Sequence, residues 1–263
     1  MTERSNTALI TGASGGIGYE LAKLFAKDHH NLVLVARSGD KLAKFADELQ
    51  RQFGILAKPV ALDLTEGPAP QFLFDQLQRE GTAIDVLVNN AGYGVRGDFA
   101  EVSLEENLGQ IQLNVTALTH LTRLFVAPMM ERRRGKIMNV ASTAGFQPGP
   151  LMAVYYATKA YVISFSEALA NELKASGVTV TCLCPGATDT GFQGRAGTES
   201  TVLFRRLRPM DAKRVARDGY RALMAGRTLA ISGTRNWLLA ESVRFSPRKL
   251  VTAVSRKVLE KTR

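Results

Sequence analysis

Tyr155 and Lys159 stand four residues apart in the segment Val-Tyr-Tyr-Ala-Thr-Lys, which covers residues 154–159. On an α-helix this spacing places both side chains on one face, about one turn apart. A lysine ammonium beside a phenol favours the phenolate, so we expect the pKa of Tyr155 to fall from its ordinary value near ~10. A tyrosine tuned in this way exchanges a proton with an alcohol or ketone oxygen near neutral pH. Because such pairs are also common on helix surfaces, the interpretation depends on what else converges there.

The elements that would position this pair alternate regularly along the chain. Apolar runs predict seven strands, at residues 7–11, 31–36, 56–62, 84–89, 136–141, 178–183 and 228–232. Amphipathic segments predict helices at residues 19–27, 41–53, 70–79, 104–130, 153–175 and 212–224. Strict alternation of strands and helices indicates a parallel sheet with helices on both faces. The near-continuous apolar character of the strands is typical of a sheet that is covered on both sides.

A glycine-rich turn, residues 12–18, separates the first predicted strand from the first predicted helix. Glycines permit a tight turn and let backbone N–H groups approach a pyrophosphate at the N-terminus of a helix. The position of this turn therefore favours dinucleotide binding over an ordinary βα turn. At the end of the second strand, NAD-specific folds place an acidic residue that bonds the ribose 2′-hydroxyl. This chain has Arg37 and Ser38 there, and because a guanidinium suits a 2′-phosphate, we predict NADP(H) as the cofactor.

Several short motifs follow one another in order over residues 5–232. They are Thr11–Gly18, Asp63-Leu64, Asn89-Asn90-Ala91-Gly92, Asn114, Ser142, Tyr155-xxx-Lys159 and Pro185-Gly186. Their order and spacing resemble the short-chain dehydrogenase/reductase family. The resemblance implies an α/β fold, with a Rossmann-type, doubly wound parallel sheet of seven strands in one domain over residues 1–233. It also implies an NADP(H)-dependent oxidoreductase that interconverts a ketone or aldehyde and an alcohol.

The resemblance assigns a role to each catalytic candidate. Tyr155 is the general acid in reduction and the base in oxidation, while Lys159 lowers its pKa and bonds the nicotinamide ribose. Ser142 holds the substrate oxygen, and Asn114 anchors a water relay to the lysine. The implied cofactor contacts are Gly12, Ser14, Gly15, Gly16, Ile17, Gly18, Arg37, Ser38, Asp63, Leu64, Asn90, Ala91, Gly92, Tyr155, Lys159, Pro185, Gly186, Thr188 and Thr190.

Further positions have more specific expectations. By the same resemblance, Asp63 contacts the adenine amine, Asn89 lies near the adenosine side of the cleft, and Thr190 reaches the nicotinamide carboxamide. Tyr93 and Phe146 are candidates for the wall of the substrate pocket, and Tyr156 is expected to pack or to line that pocket. Residues 188–210 predict a mobile lid whose candidate contacts are Phe192, Arg195, Val202, Leu203, Phe204, Arg205 and Arg206.

Residues 234–263 form a basic C-terminal extension. The last 60 residues carry 16 of the 34 lysines and arginines but only four of the 24 acids, so they hold the whole positive excess of the chain. Ser246 and Pro247 predict the start of a helix that runs to Lys261. On it, Leu250, Val251, Val254 and Val258 form one stripe. The stripe is compatible with packing on the body or on a second subunit, and a basic amphipathic helix also suits a membrane surface. Sparse aromatic residues argue against nucleic acid.

The composition of the chain also bears on membrane insertion, cellular compartment and metal binding. No apolar run is long enough to span a bilayer, and the polar N-terminus predicts no signal peptide. Cys182 and Cys184 are expected to be reduced and buried, which indicates a reducing compartment and a cytoplasmic protein, with peripheral membrane attachment left open. The three histidines suggest no metal site.

Three functions follow from these observations. The first is a carbonyl reductase or alcohol dehydrogenase of homodimeric or homotetrameric form, acting on an apolar or amphipathic small molecule. The second is a 3-oxoacyl-[acyl-carrier-protein] reductase, because a basic tail would attract an acidic carrier. The third is a non-catalytic NADP(H)-binding regulatory protein. The complete set of Ser142, Tyr155 and Lys159 argues against the third, since an adaptor has no use for a tuned phenol.

Overall fold

The computed structural model of the protein describes residues 5–202 and 209–260. Its strands are β1 Thr7–Thr11, β2 Asn31–Ala36, β3 Ala57–Ala61, β4 Val86–Asn89, β5 Gly135–Val140, β6 Val178–Cys184, β7 Thr188–Asp189, β8 Met210–Asp211 and β9 Leu229–Ile231. Seven of them form one parallel sheet in the order β3-β2-β1-β4-β5-β6-β9, while β7 and β8 pair separately. The predicted seven-stranded, doubly wound parallel sheet is therefore confirmed.

Helices cover both faces of this sheet. They are α1 Gly16–Lys27, α2 Gly39–Phe53, α3 Ala69–Arg79, α4 Leu104–Ile111, α5 Leu118–Glu131, α6 Ala153–Glu172, α7 Phe192–Ala196, α8 Ala212–Met224, α9 Thr234–Ser242 and α10 Arg248–Leu259. On one face, Phe25 of α1 and Leu42 of α2 pack with Val215 of α8. On the other face, Leu73 of α3 packs with Phe125 of α5. This double covering explains why the strands are apolar on both sides.

The helix predicted over residues 104–130 is interrupted in its middle. A π-helical segment, Gln112–Ala117, joins α4 to α5, and Asn114 lies within it. Such widened turns are rare and are frequent at functional sites. The segment turns the buried side chain of Asn114 toward the loop that follows β4, where its amide meets the backbone of Tyr93.

Several predicted boundaries need correction. α1 begins at Gly16, since the glycine turn runs directly into the helix. α10 begins at Arg248, with Pro247 just outside it as the N-cap. Lys261, and the lid positions Leu203, Phe204, Arg205 and Arg206, lie outside the described residues. Within the described parts of the chain, no helix combines the length and the apolar character needed to cross a bilayer.

Candidate active site

The strand order reverses between β1 and β4, because β2 and β3 lie on one side of β1 and the later strands lie on the other. In open parallel sheets, ligands bind at the carboxyl ends of the strands next to such a switch point. A cavity of about 1030 Å³ opens there. Most of the predicted site residues line it: Gly12, Ser14, Gly15, Gly16, Ile17, Asn90, Ala91, Gly92, Ser142, Tyr155, Lys159, Pro185, Gly186, Thr188 and Thr190.

The glycine turn has the geometry that a phosphate group requires. Gly12 has a φ of +66°, and a Cβ there would lie 2.8 Å from Asn90 Nδ2. Asn90 holds the turn closed by donating to the carbonyl oxygens of Thr11 (2.8 Å) and Gly12 (3.2 Å). A Cβ on Gly18 would lie 2.5 Å from both Asn90 Nδ2 and Gly12 O, so Gly18 sits beneath the turn. A Cβ added to Gly15 would have none of the described atoms within 4 Å, so this position is open.

The N-terminus of α1 faces this space without a competing group. Its first turn contains no acidic residue, and none of the described side chains caps it. Free N–H groups at a helix N-terminus attract anions. The residues present therefore fit the pyrophosphate of a dinucleotide.

Arg37, Ser38, Asp63 and Leu64 lie at the ends of β2 and β3, outside the lining of the cavity. Arg37 Nη1 is 3.8 Å from Asp63 Oδ2, and the arginine side chain is half exposed. Partial burial tends to raise the pKa of Asp63, but hydrogen bonds from Thr65 and the charge of Arg37 hold it below its ordinary value. The side chain of Leu64 is buried in the core, so only its backbone remains to contact a ligand.

The catalytic candidates converge at the first turns of α6. Lys159 Nζ lies 5.7 Å from the centroid of the Tyr155 ring and donates to Val140 O at 2.8 Å. Ser142, directly beyond β5, donates to Pro185 O at 3.3 Å. The Ser142 hydroxyl also interacts with the Tyr155 phenol, and this interaction acts to lower the pKa of the phenol. Asn114 lies behind them, where Nδ2 donates to Tyr93 O (2.8 Å) and to Thr158 Oγ1 (3.0 Å).

The expectation that Lys159 lowers the pKa of Tyr155 is wrong for this structure. Burial raises the pKa of Tyr155 to about 12, and the hydrogen bond from Ser142 opposes this rise only in part. Burial also lowers the pKa of Lys159 to about 8. A charged amine and a charged phenolate are both disfavoured by removal from water. In this arrangement Tyr155 is a protonated phenol, which is the form that donates a proton to a carbonyl oxygen.

Aromatic side chains form the substrate side of the cavity. The ring of Phe192 lies 5.3 Å from that of Tyr155, and Tyr156 lies 6.1 Å away and also lines the cavity. Arg195 lies over the ring of Tyr93, with 4.1 Å between its guanidinium carbon and the ring centroid. Arg195 is thereby held against the wall, at a distance typical of a cation–π contact.

One expectation about the walls of the substrate pocket is wrong. Phe146 packs with Val162 and Cys182 behind the cavity, because the short 3₁₀ turn that carries it faces the α6 side. Asn89 precedes Asn90, which lines the cavity, but its own side chain points into the core. It is buried on β4, and its amide donates to Thr122 Oγ1 and Asn139 Oδ1, each at 2.9 Å.

The lid residues already contact the nucleotide side of the cavity. The Thr190 methyl group lies against Gly16, since a Cβ there would be 3.0 Å from it. The Thr190 hydroxyl accepts from Phe192 N at 3.2 Å, and the Thr188 hydroxyl donates to Gly186 O at 2.9 Å. Because the Thr190 hydroxyl accepts the bond from Phe192, its own proton can still be donated to a carboxamide oxygen.

Several lining residues carry no sequence signal for a site, among them Gln147, Met152, Met210, Arg214, Arg235, Asn236 and Leu239. The charged side chains among the described lining residues are Lys159, Arg195, Arg214 and Arg235, with no carboxylate among them. This one-sided charge favours anionic ligands.

The sheet, the reversed strand order and the glycine-lined cavity define a doubly wound α/β protein of the dinucleotide-binding class. Residues 6–200 match the family model for short chain dehydrogenases. The ketoacyl reductase HetN of Nostoc sp. is 37% identical over 192 residues, which are 73% of this chain and 67% of that protein. The very-long-chain 3-oxoacyl-CoA reductase of Phaeosphaeria nodorum is 36% identical over 68% of this chain but only 54% of its own length.

A solved short-chain dehydrogenase from Sphingobium yanoikuyae, in complex with NADPH, is 33% identical with a TM-score of 0.82. The alignment covers 91% of this chain and 93% of that one. A bulky-bulky ketone specific alcohol dehydrogenase from Comamonas testosteroni is 30% identical over 91% of this chain and 92% of its own, with a TM-score of 0.78. The chain belongs to the short-chain dehydrogenase/reductase family, and it is an oxidoreductase of the carbonyl and alcohol class.

Proposed function

We propose that the protein is an NADP(H)-dependent reductase of ketones in which Tyr155 is the general acid. The observation that carries this proposal is the meeting of Ser142, Tyr155 and the buried Lys159 in one cavity, with Tyr155 and Lys159 one helical turn apart. The glycine turn lines the same cavity, which suits the nicotinamide cofactor that supplies the hydride when it is bound.

Ser142, Tyr155 and Lys159 have distinct roles in the proposed reaction. Ser142 is held by Pro185 O and by the N–H of Ala144, so its hydroxyl is positioned to bond a substrate oxygen. Tyr155 remains protonated at neutral pH and donates its proton to that oxygen as the alcohol forms. Lys159, with a pKa of about 8, can exchange protons with the interior near neutral pH. Burial beneath Phe192 limits the access of water to the reacting atoms.

The preference for NADP(H) is supported by residue 37. The end of β2 carries a guanidinium where an acid would select NAD, and Arg195 adds a second positive charge near Asp63. The Sphingobium relative binds NADPH. A Burkholderia phymatum relative, 26% identical, was solved with NAD, so the family fold serves either dinucleotide.

A 3-oxoacyl thioester is a second candidate for the substrate. HetN, the Phaeosphaeria enzyme and a putative ketoacyl reductase of monensin polyketide synthase are described as acting on ketoacyl or oxoacyl groups. Arg195, Arg214 and Arg235 would suit the anionic carrier end of such a substrate. Faster turnover of a 3-oxoacyl thioester than of the matching plain ketone would favour this candidate.

Loss of the Tyr155 hydroxyl tests the proposal. We expect Tyr155→Phe to lower kcat by about 10²–10⁴-fold, because the general acid is removed. The affinity for NADPH, measured by fluorescence titration, should change little, since the ring still packs. Tyr161→Phe is the matched control, because Tyr161 lies on the same helix, outside the cavity, and bonds Thr119. Full turnover in Tyr155→Phe would show that another group donates the proton.

A further inference from the structure

The C-terminal segment, residues 234–259, forms part of the cavity that contains Tyr155. It consists of α9, the 3₁₀ turn Val243–Phe245 and α10. Its apolar lining side chains include Leu239, Val243, Leu250, Val254, Val258 and Leu259. The segment is thus a wall of the site, although it begins beyond the last strand of the sheet.

Two neighbouring rows of α10 face inward. Val251, Ser255 and Leu259, spaced four residues apart, are buried against the body. Leu250 and Val254 begin the adjacent row, and although both line the cavity they are 57% and 54% exposed. Each therefore contributes apolar surface to the cavity wall and leaves more than half of its side chain uncovered by the described residues. From Leu250 to Val258 this row extends ~12 Å along the helix axis.

The wall begins at the catalytic candidate itself. Leu259 is fully buried and packs in one apolar cluster with Tyr155, Tyr156 and Met152. Arg96 Nε fixes the end of α10 by donating to Leu259 O at 2.7 Å. A continuous apolar surface therefore runs from the Tyr155 ring outward along α10.

The size of the cavity leaves room for a ligand beside the dinucleotide. Its volume of about 1030 Å³ lies at the upper end of the ~300–1,000 Å³ that is usual for ligand pockets. The glycine turn and the positively charged residues account for an anionic dinucleotide. The row Leu250, Val254 and Val258 provides nothing for a phosphate or a sugar, because it offers no hydrogen-bonding side chain.

We propose that this apolar channel, lined by Leu250, Val254 and Val258, binds the aliphatic chain of the carbonyl substrate. The inference rests on the proposed function, because Tyr155 marks the end of the channel where the carbonyl group lies. The elongated shape of the row selects an extended chain, and its length favours medium or long chains over short ones. Val254, at the middle of the row, then determines chain-length specificity.

A homologous series of methyl 3-oxoalkanoates, from about four to about twelve carbons, tests the channel with NADPH and the full chain. We expect kcat/KM to rise roughly fourfold for each added methylene until the channel is filled, as transfer of a methylene from water predicts. Val254→Trp should block the channel and lower the ratio of long-chain to short-chain kcat/KM by about tenfold or more. Lys249→Trp is the matched control, since it places the same indole side chain on the exposed, opposite face of α10 and should keep the ratio of the parent.

Each outcome decides a specific point. Turnover of short and long substrates with equal kcat/KM in the parent would overturn the channel and leave the reductase activity standing. Absence of turnover with every ketone would instead contradict the proposed function. In that case, fluorescence titration with cis-parinaric acid tests the channel directly: weaker binding in Val254→Trp than in Lys249→Trp supports it, and equal binding overturns it. The parent series still decides the question if Val254→Trp does not fold.

Discussion

The buried charge of Lys159 is expected to lower the free energy of unfolding of the protein. Burial lowers its pKa from 10.5 to about 8. At ~1.4 kcal/mol for each pKa unit, holding the charged amine in the interior costs roughly 3 kcal/mol at neutral pH. The hydrogen bond from Nζ to Val140 O returns part of this cost, at about 1 kcal/mol. We therefore expect Lys159→Met to raise the free energy of unfolding by roughly 2 kcal/mol at neutral pH while abolishing turnover.

The pH dependence separates this cause from better packing. Because the folded-state pKa of Lys159 is depressed, the unfolded chain binds more protons between about 8 and 10.5. The cost is fully present below about 8 and disappears as the pH rises toward 10.5. The stability advantage of Lys159→Met should therefore shrink across this window. Urea denaturation of parent and variant at matched pH values measures the difference.

Lys136 provides the matched control. Its amine also donates to backbone carbonyls, those of Leu223 and Met224, but it lies near the surface. Lys136→Met should lose up to about 1 kcal/mol of stability. If Lys159→Met were less stable than the parent at neutral pH, the desolvation argument would be refuted, and the hydrogen bond to Val140 would be the larger effect.

Two further predictions concern the two ends of the cavity. NADPH should bind about tenfold tighter than NADH or more, because a charge-assisted contact contributes roughly 1.5–3 kcal/mol. Arg37→Ala should remove most of this difference in affinity, which titrations with both dinucleotides measure. Removal of residues 247–263 exposes the cluster around Tyr155, because Leu259 and Val251 are buried. We expect a lower Tm and a large loss of kcat/KM, with a stability cost of about 3 kcal/mol or more. An unchanged Tm with lost sedimentation on anionic liposomes would instead identify the segment as a membrane anchor.

The sheet and the glycine turn could be predicted because both depend on local pattern. Apolar runs mark strands that are buried on both faces, and glycines at Gly12 and Gly18 are needed where a Cβ would collide with Asn90. The order of the motifs then placed Ser142, Tyr155 and Lys159 at the same edge of the sheet, where the cavity lies. The order of strands and motifs is enough for this placement, whatever the burial of each side chain.

The predictions that failed are those that depend on how deeply a side chain is buried or on the direction in which it points. The sign of the pKa shift at Tyr155 depends on how much water the surrounding elements exclude, and the four-residue spacing from Lys159 carries no information on that. Asn89 and Asn90 are adjacent, yet one is the last residue of β4 and the other begins the loop. They consequently reach different partners, the core network in one case and the glycine turn in the other.

The partner surface of the C-terminal helix could not be predicted from the sequence either. Its position in the structure also restricts the membrane interpretation. The stripe on α10 was recognisable, but its partner surface lies far away in sequence: Leu259 accepts from Arg96 across 163 residues. Leu250, Val254 and Val258 line the cavity, so their insertion into a bilayer would remove them from the proposed substrate channel. A membrane contact that leaves this channel intact would use the exposed basic face of α10, with Arg248 and Lys249. Binding of that kind is electrostatic and should disappear at high salt. Insertion of the apolar stripe would resist salt and would have to open the substrate channel.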